Sequence, residues 1–326
     1  MNTANGYKVK YVIDEVLSIY NSPLIDLLSR SMEIMKECWG GWKIQKSSLI
    51  SVKTGGCPED CKYCAQSVHY KTDIEVHPYM KVEEVIKRAK ELKRNGAERI
   101  CLSAAQRNIR NNADFESVLK MIKSIKEMGM EVCCTLGMLT EEQALLLKEA
   151  GLDYYNHNID TSPSFYSRII TTRRFEDRLK TIENVRKAGI NVCCGIIIGM
   201  GESIRDRAEA LTVLANMEPP PESVPVNALI PIKGTPLGEL NPPSTIDMVR
   251  TIATARIIMP HSYIRLSAGR INMSIYEQML CFLAGANSLF LGEKLLTAPN
   301  SPPSDDIILF KELFGEDLYG GTVQDR

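Results

Sequence analysis

The sequence predicts an α/β protein built as a (β/α)8, TIM-type barrel. Two observations carry this expectation. Short β-rich runs alternate with amphipathic helical stretches eight times within about 245 residues, the rhythm of a closed parallel barrel. Within the runs, apolar and non-apolar positions alternate, so one phase faces an outer layer of helices and the other a lumen. A doubly wound open sheet is the alternative architecture for the same rhythm.

In order, residues 1–45 read as a helical extension packed outside the barrel. The first strand is 47–54, and the segment 55–79 that follows is longer than a plain connection needs, which marks it as functional. A helix over 82–95 stops at Gly96, and the second strand is 98–103. The remaining units pair a helix over 115–128 with strand 130–136, a helix over 141–150 with strand 152–158, and a helix over 175–188 with strand 190–198. The last three strands are 223–229, 262–267 and 287–291, with helices over 204–217, 246–258 and 274–284. The barrel therefore occupies 46–295. The tail 296–326 is rich in turn residues (Pro299, Pro302, Pro303, Asp305, Asp306) and is expected to fold over one mouth as a lid.

The 326 residues are 44% hydrophobic and 24% charged with a net charge of −1, which excludes a general polyanion binder and gives no reason to expect nucleic acid. No apolar run is long enough to cross a bilayer, and the opening MNTANGYKVK lacks a signal-peptide core, so no membrane association and a cytoplasmic location are expected. In that compartment ten cysteines point to metal binding or catalysis rather than to disulfides.

Three of them form C-x3-C-x2-C in GGCPEDCKYCAQS, at Cys57, Cys61 and Cys64. Thiolates are soft ligands suited to zinc or iron–sulfur clusters. A structural zinc site wants four protein ligands, which His69 or a distant cysteine would have to complete. A 4Fe–4S cubane held by three thiolates instead keeps one iron open. This motif resembles the signature of the radical S-adenosylmethionine superfamily. The resemblance implies that the open iron takes the amino and carboxylate groups of S-adenosylmethionine and that one electron cleaves it to a 5′-deoxyadenosyl radical. It places Tyr63 beside the adenine, together with the GIIIGMGE segment that contains Gly199.

A second set follows from alternation. In the second strand Ile100 and Leu102 are apolar, so Cys101 belongs to the other face; the same phase assigns Cys133 in the third strand, Cys193 in the fifth and Arg265 in the seventh to the lumen. An arginine among thiolates reads as a charge partner. This set is similar to that of the biotin synthases, whose auxiliary 2Fe–2S cluster is held by three cysteines and an arginine. The stretches SVKTGGCPEDCKYCAQS, YYNHNIDTSPSFY, ESVPVNALIPIKGTPL, RLSAGR and AGANSLFLGEKLLT agree, over about residues 40–300. The resemblance implies insertion of sulfur into dethiobiotin, the auxiliary cluster supplying sulfide. It implies that Asn156 and Asn227 contact the substrate, that Asn158 and Asp160 contact S-adenosylmethionine, with Asp160 on the ribose hydroxyls, and that Arg173 meets the cofactor carboxylate. It also implies a homodimer and a flavodoxin or ferredoxin as electron donor.

Cys133 and Cys193 each carry a cysteine neighbour. Alternation sends Cys134 and Cys194 toward the helices. A bulge would turn either inward and permit an auxiliary cluster of four irons. Gln106 stands where the family commonly has an aromatic residue. His157 is expected to face the helices as a satisfied structural histidine, and Cys38 and Cys281 read as small core residues. The competing functions are another radical enzyme on the same barrel, of hydrogenase-maturation or methylornithine-synthase type, and a non-catalytic zinc or iron–sulfur protein.

Overall fold

The computed structural model describes residues 10–41 and 43–315, with a short antiparallel pair β1 (Thr3–Ala4) and β2 (Tyr7–Lys8). The other residues of the N-terminal extension, and 316–326 of the expected tail, lie outside the described residues. Two helices, α1 (Ile13–Asn21) and α2 (Leu24–Trp39), precede the barrel and pack on its outer layer through Val16, Tyr20, Leu27 and Met35. The barrel then runs β3 (Gln45–Lys53), α3 (Val82–Arg94), β4 (Arg99–Ala104), α4 (Ala113–Glu127), β5 (Glu131–Thr135), α5 (Glu141–Glu149), β6 (Tyr154–Asn156), α6 (Pro163–Ile169), α7 (Phe175–Lys187), β7 (Asn191–Cys193), β8 (Ile196–Ile198), α8 (Ile204–Ala215), β9 (Ser223–Ala228), α9 (Thr245–Ile258), β10 (Tyr263–Leu266), α10 (Ile275–Leu283), β11 (Ser288–Leu291) and α11 (Pro303–Phe314). All pairings within this sheet are parallel, and pairing of β10 with both β9 and β11 closes it. The open-sheet alternative is thereby excluded.

Local chemistry sets the helix starts. Thr140, Ser203 and Ser274 each form a capping box with the residue three on, satisfying backbone N–H groups that have no partner inside the helix. Two layers of core follow from strand alternation. Ile100, Leu102, Val132, Cys134, Val192 and Cys194 join the large apolar layer between sheet and helices. Cys101, Cys133, Tyr154, Cys193 and Phe290 form a separate cluster inside the barrel.

Three differences from the sequence reading have physical reasons. Two helices, α6 and α11, were not anticipated. Each has proline at its first turn, where the missing N–H costs nothing, and Ser162 caps α6 by accepting from the Phe165 N–H at 3.1 Å. The expected lid thus contains a helix as well as turns.

The fifth strand is split. Cys194 N–H donates to Ser223 O, but Gly195 N–H turns to the Asn158 side chain at 3.0 Å. A Cβ on Gly195 would stand 1.9 Å from the Pro225 carbonyl oxygen, so only glycine lets β9 approach here. Gly195→Ala is therefore expected to destabilise the fold by about 2–3 kcal/mol, read as a lower midpoint in denaturant unfolding. An unchanged midpoint would show that β9 gives way freely.

Candidate active site

The cysteine triplet lies in the loop after β3, at the end of the barrel where strands terminate. Backbone bonds fold the loop onto itself: Cys57 N–H donates to Gln66 O, Val68 N–H to Cys57 O, and Cys64 N–H to Cys61 O, each at 2.9 Å. Two acidic residues between the cysteines tie it to neighbouring loops. Glu59 is buried and accepts from Arg107 and from the Thr172 hydroxyl. Burial acts to raise its carboxyl, but those hydrogen bonds outweigh it and hold the group below its ordinary range. Asp60 accepts from the Thr171 and Thr172 N–H groups at 2.9 and 3.1 Å. There too burial is overcome by the donors, and the carboxyl is drawn down to about 2. The His69 ring sits 3.1 Å from the Pro58 carbonyl, which accounts for that nitrogen without a metal.

All three cysteines line a cleft of about 340 Å³ in the barrel mouth. Tyr63, Asn156, Asn158, Asp160, Arg173 and Asn227 line it as well, so these six expected contact residues are brought together. Gly199 is not among the lining residues. Its N–H donates to Glu202 at 2.8 Å, and a Cβ there would meet Pro243 at 2.6 Å. It shapes the turn after β8, and Ile197 is the residue of that segment that reaches the cleft.

Asp160 is the polar centre of one wall. It is buried, adopts a positive φ of 66°, and accepts from the Tyr63 hydroxyl at 2.7 Å and from Arg178 Nη2. Arg178, on α7, was absent from the sequence reading. Its Nε donates to the Tyr166 hydroxyl at 2.7 Å and its Nη1 to the Asn158 carbonyl. Both members of the Arg178–Asp160 pair have side chains only 4% exposed. Arg178→Met would strand a buried carboxylate, an imbalance that costs about 3–5 kcal/mol, expected as loss of stability in chemical denaturation. A loss below about 1 kcal/mol would show that water reaches Asp160.

Two further polar atoms beside the cleft, Arg173 Nε and His157 Nε2, are buried without a protein partner. His157 corrects the sequence reading. Its N–H continues the strand pairing by donating to Cys193 O at 2.9 Å and its ring lies 6.4 Å from that of Tyr155, but the ring is not satisfied as expected, and the residue borders the cleft. Burial, reinforced by Arg178 and Arg173, pushes it well below its ordinary pKa, so the imidazole is neutral. Asn227 donates to Ile196 O at 3.0 Å and accepts from Ala268 N–H at 3.2 Å, tying β9 to β8 and to the loop after β10 beside the cleft. Gln106 accepts from Tyr79 and donates to Leu136 O, which satisfies a polar side chain where an aromatic one would only pack.

The second set lies one layer beneath the cleft floor. Ser103, Thr135 and Ser267 line the cleft, each two residues beyond Cys101, Cys133 and Arg265 on the same strand face. Cys101 is paired in register with Cys133, and Cys193 with Asn156 and Ser223. The neighbouring Cys133 thiol lowers those of Cys101 and Cys193 against the effect of burial, Arg265 adding in the same sense; Cys133 itself is pushed well up. Arg265 is fully buried. Its Nε donates to Ser288 at 2.9 Å and its Nη2 to Gln45 and Ser47 at 3.2 and 3.1 Å, while Nη1 has no partner. Cys134 and Cys194 stand in the helix-facing layer, so no bulge turns them inward.

The donor sets fit iron–sulfur clusters. Burial raises all three thiols of the triplet, Cys61 to about 12 and Cys64 to about 11, so loading a cluster must displace their protons. In the lumen, three thiols and an arginine with an orphaned donor converge in a dry space. Among the described residues no three His, Cys, Asp or Glu side chains are placed to hold a single metal ion. A multinuclear cluster asks for something else, since its thiolates are spread over more than one iron.

A family model of the radical SAM superfamily matches residues 51–214, and one of the Biotin and Thiamin Synthesis associated domain matches 225–313. Biotin synthase of Cytophaga hutchinsonii is 54% identical over 300 residues, covering 92% of this chain and 89% of that one. Biotin synthase of Legionella pneumophila is 54% identical over 306 residues, covering 94% and 97%. That of Prochlorococcus marinus is 53% identical over 308 residues, covering 94% and 92%. Among solved structures, methylornithine synthase superimposes with a TM-score of 0.74 at 20% identity over 87% of this chain and 83% of its own. The FeFe-hydrogenase maturase HydG of Carboxydothermus hydrogenoformans gives 0.78 at 17% identity over 93% and 75%. These two share the barrel fold. With two thiol sets stacked in one barrel and identities above half along nearly its whole length, the chain belongs to the biotin synthase family of the radical SAM superfamily.

Proposed function

We propose that this chain converts dethiobiotin to biotin by radical insertion of sulfur. The observation that carries the reading is the stacking of the two sets: Cys57, Cys61 and Cys64 line the cleft, and Cys101, Cys133, Cys193 and Arg265 lie directly below its floor. A substrate held between them meets both. Cys57, Cys61 and Cys64 hold a 4Fe–4S cluster, and the lumen set holds the auxiliary cluster. When bound, the clusters and S-adenosylmethionine supply the electron, the hydrogen-abstracting radical and the sulfur.

The chain's own residues do the positioning. Tyr63 and Asp160, locked together and held by Arg178, form the wall for the adenosyl group, with Asn158 beside them. Arg173 offers its free Nε to the cofactor carboxylate. Asn156 and Asn227 serve the substrate side. The buried mouth keeps water from a reactive carbon centre. The outward placement of Cys134 and Cys194 supports a 2Fe–2S auxiliary cluster over one of four irons. About six irons per chain on anaerobically purified protein fits this, and about eight would favour the larger cluster.

In this reading 46–295 is the catalytic barrel, flanked by the extension 1–45 and the tail 296–326. The working unit is a homodimer in the cytoplasm, reduced by a flavodoxin or ferredoxin. Among the described residues no helix is long and apolar enough to cross a membrane. Anaerobic incubation with dethiobiotin, S-adenosylmethionine and reductant is expected to yield biotin, 5′-deoxyadenosine and methionine. Formation of 5′-deoxyadenosine with no biotin would assign the barrel to a different substrate.

A further inference from the structure

Arg99 is a second arginine sealed inside the barrel, and the reading above does not use it. It lies two residues before Cys101 on the same face of β4, and it is paired in register with Glu131 as Cys101 is with Cys133. Its side chain is 0% exposed, whereas that of Glu131 is 44% exposed. Nε and Nη2 both donate to Glu131 Oε2, at 2.9 and 2.7 Å. The guanidinium carbon stands 3.4 Å from the centroid of the Tyr154 ring, and Tyr154 is paired with Cys133 within the same lumen cluster. That leaves Nη1, buried with no partner.

A surface ion pair with Glu131 would not need a fully buried guanidinium, and an orphaned donor on a buried cation is costly. The charge is needed inside. Three thiolates in a dry lumen bring three negative charges, and Arg265 brings one positive charge. Arg99 also lies in electrostatic reach of Cys101, Cys133 and Cys193. Its acidic partner is 44% exposed, so solvent screens that end of the pair while the guanidinium stays buried.

We propose that Arg99 is a positioning residue of the auxiliary cluster site: its free Nη1 serves the sulfur shell formed by Cys101 and Cys133, and its charge raises the reduction potential of the cluster held there. The proposal rests on the lumen holding an iron–sulfur cluster. A cation beside a cluster favours the reduced, more negative state, and a low dielectric strengthens the effect. Glu131 opposes it.

The test is a mediated reductive titration of the loaded enzyme, following the auxiliary cluster by visible absorption and using the 4Fe–4S couple as internal reference. Arg99→Met is expected to shift the auxiliary couple to lower potential and Arg99→Lys to restore part of that shift. Glu131→Gln is expected to shift it to higher potential. The 4Fe–4S couple stays in place in all three. A purely structural role would not move the two partners' variants in opposite directions. An unchanged auxiliary couple in Arg99→Met, or shifts of the same sign for the two partners, overturns the proposal. Should Arg99→Met fail to fold, Glu131→Gln, which keeps the buried arginine, decides it by the sign of its shift. Wild-type protein that binds only about four irons per chain would remove the auxiliary cluster reading, and this inference with it.

Discussion

Cys61→Ala is expected to abolish formation of 5′-deoxyadenosine, and biotin formation with it. Cys61 is the buried middle member of the triplet, closed under Cys64 by the Cys64 N–H bond to its carbonyl. A cubane on two thiolates is expected to be lost, since the nearby His69 ring faces the Pro58 carbonyl at 3.1 Å and is directed elsewhere. Outer-shell partners alone cost 10–100-fold in metal sites, so loss of a direct ligand is expected to cost roughly 10³-fold or more. The measurement is chromatographic yield of 5′-deoxyadenosine under reducing, anaerobic conditions. Cys281→Ala is the matched control, since that thiol is buried on α10 in the apolar layer and touches neither site. Retained cleavage in Cys61→Ala would remove the triplet from the cleavage site.

Cys193→Ala separates the two halves of the chemistry. Cys193 is fully buried in the lumen cluster and hydrogen-bonded to Ser223, remote from the triplet loop. The variant is expected to keep cleaving S-adenosylmethionine while biotin yield falls by roughly 10²-fold or more, and to bind about four irons per chain in place of about six. Cys194→Ala next to it should keep biotin yield and lose only packing, because its side chain joins the helix-facing layer. Full biotin yield from Cys193→Ala would mean that the lumen set is not the auxiliary site.

The contrast between those neighbours shows what the sequence could reveal. Strand alternation separated Cys101, Cys133 and Cys193 from Cys134 and Cys194 before any coordinates, because both faces of a barrel strand are buried but only one is packed against helices. Alternation fails where strands end or break. His157 lies one residue past β6, and its Nε2 is buried without the partner that a satisfied structural histidine would have. The break at Gly195 depends on the approach of Pro225 from a strand nearly thirty residues away, which no local pattern carries.

Arg178 was missed for a related reason. On α7 it reads as one more charged helix residue, and its partner Asp160 lies in a different loop. A signal did exist: a buried carboxylate beside a tyrosine needs a cation. Gly199 was drawn to the cleft by its motif, while the structure spends it on the turn beside Pro243. Pro303 counts among the turn residues of the tail, yet proline is equally at home in the first turn of a helix, where Pro303 and Pro163 both stand.

In the proposed reaction the cluster held by the thiols beneath the cleft floor supplies the sulfur that enters the product. Reconstituting the auxiliary cluster with heavy-isotope sulfide, then running a single turnover with unlabelled components in solution, tests it by the mass of the biotin formed. Biotin heavier by one isotopic increment, with the label absent in Cys193→Ala, is the predicted result; unlabelled biotin from fully labelled clusters would contradict it.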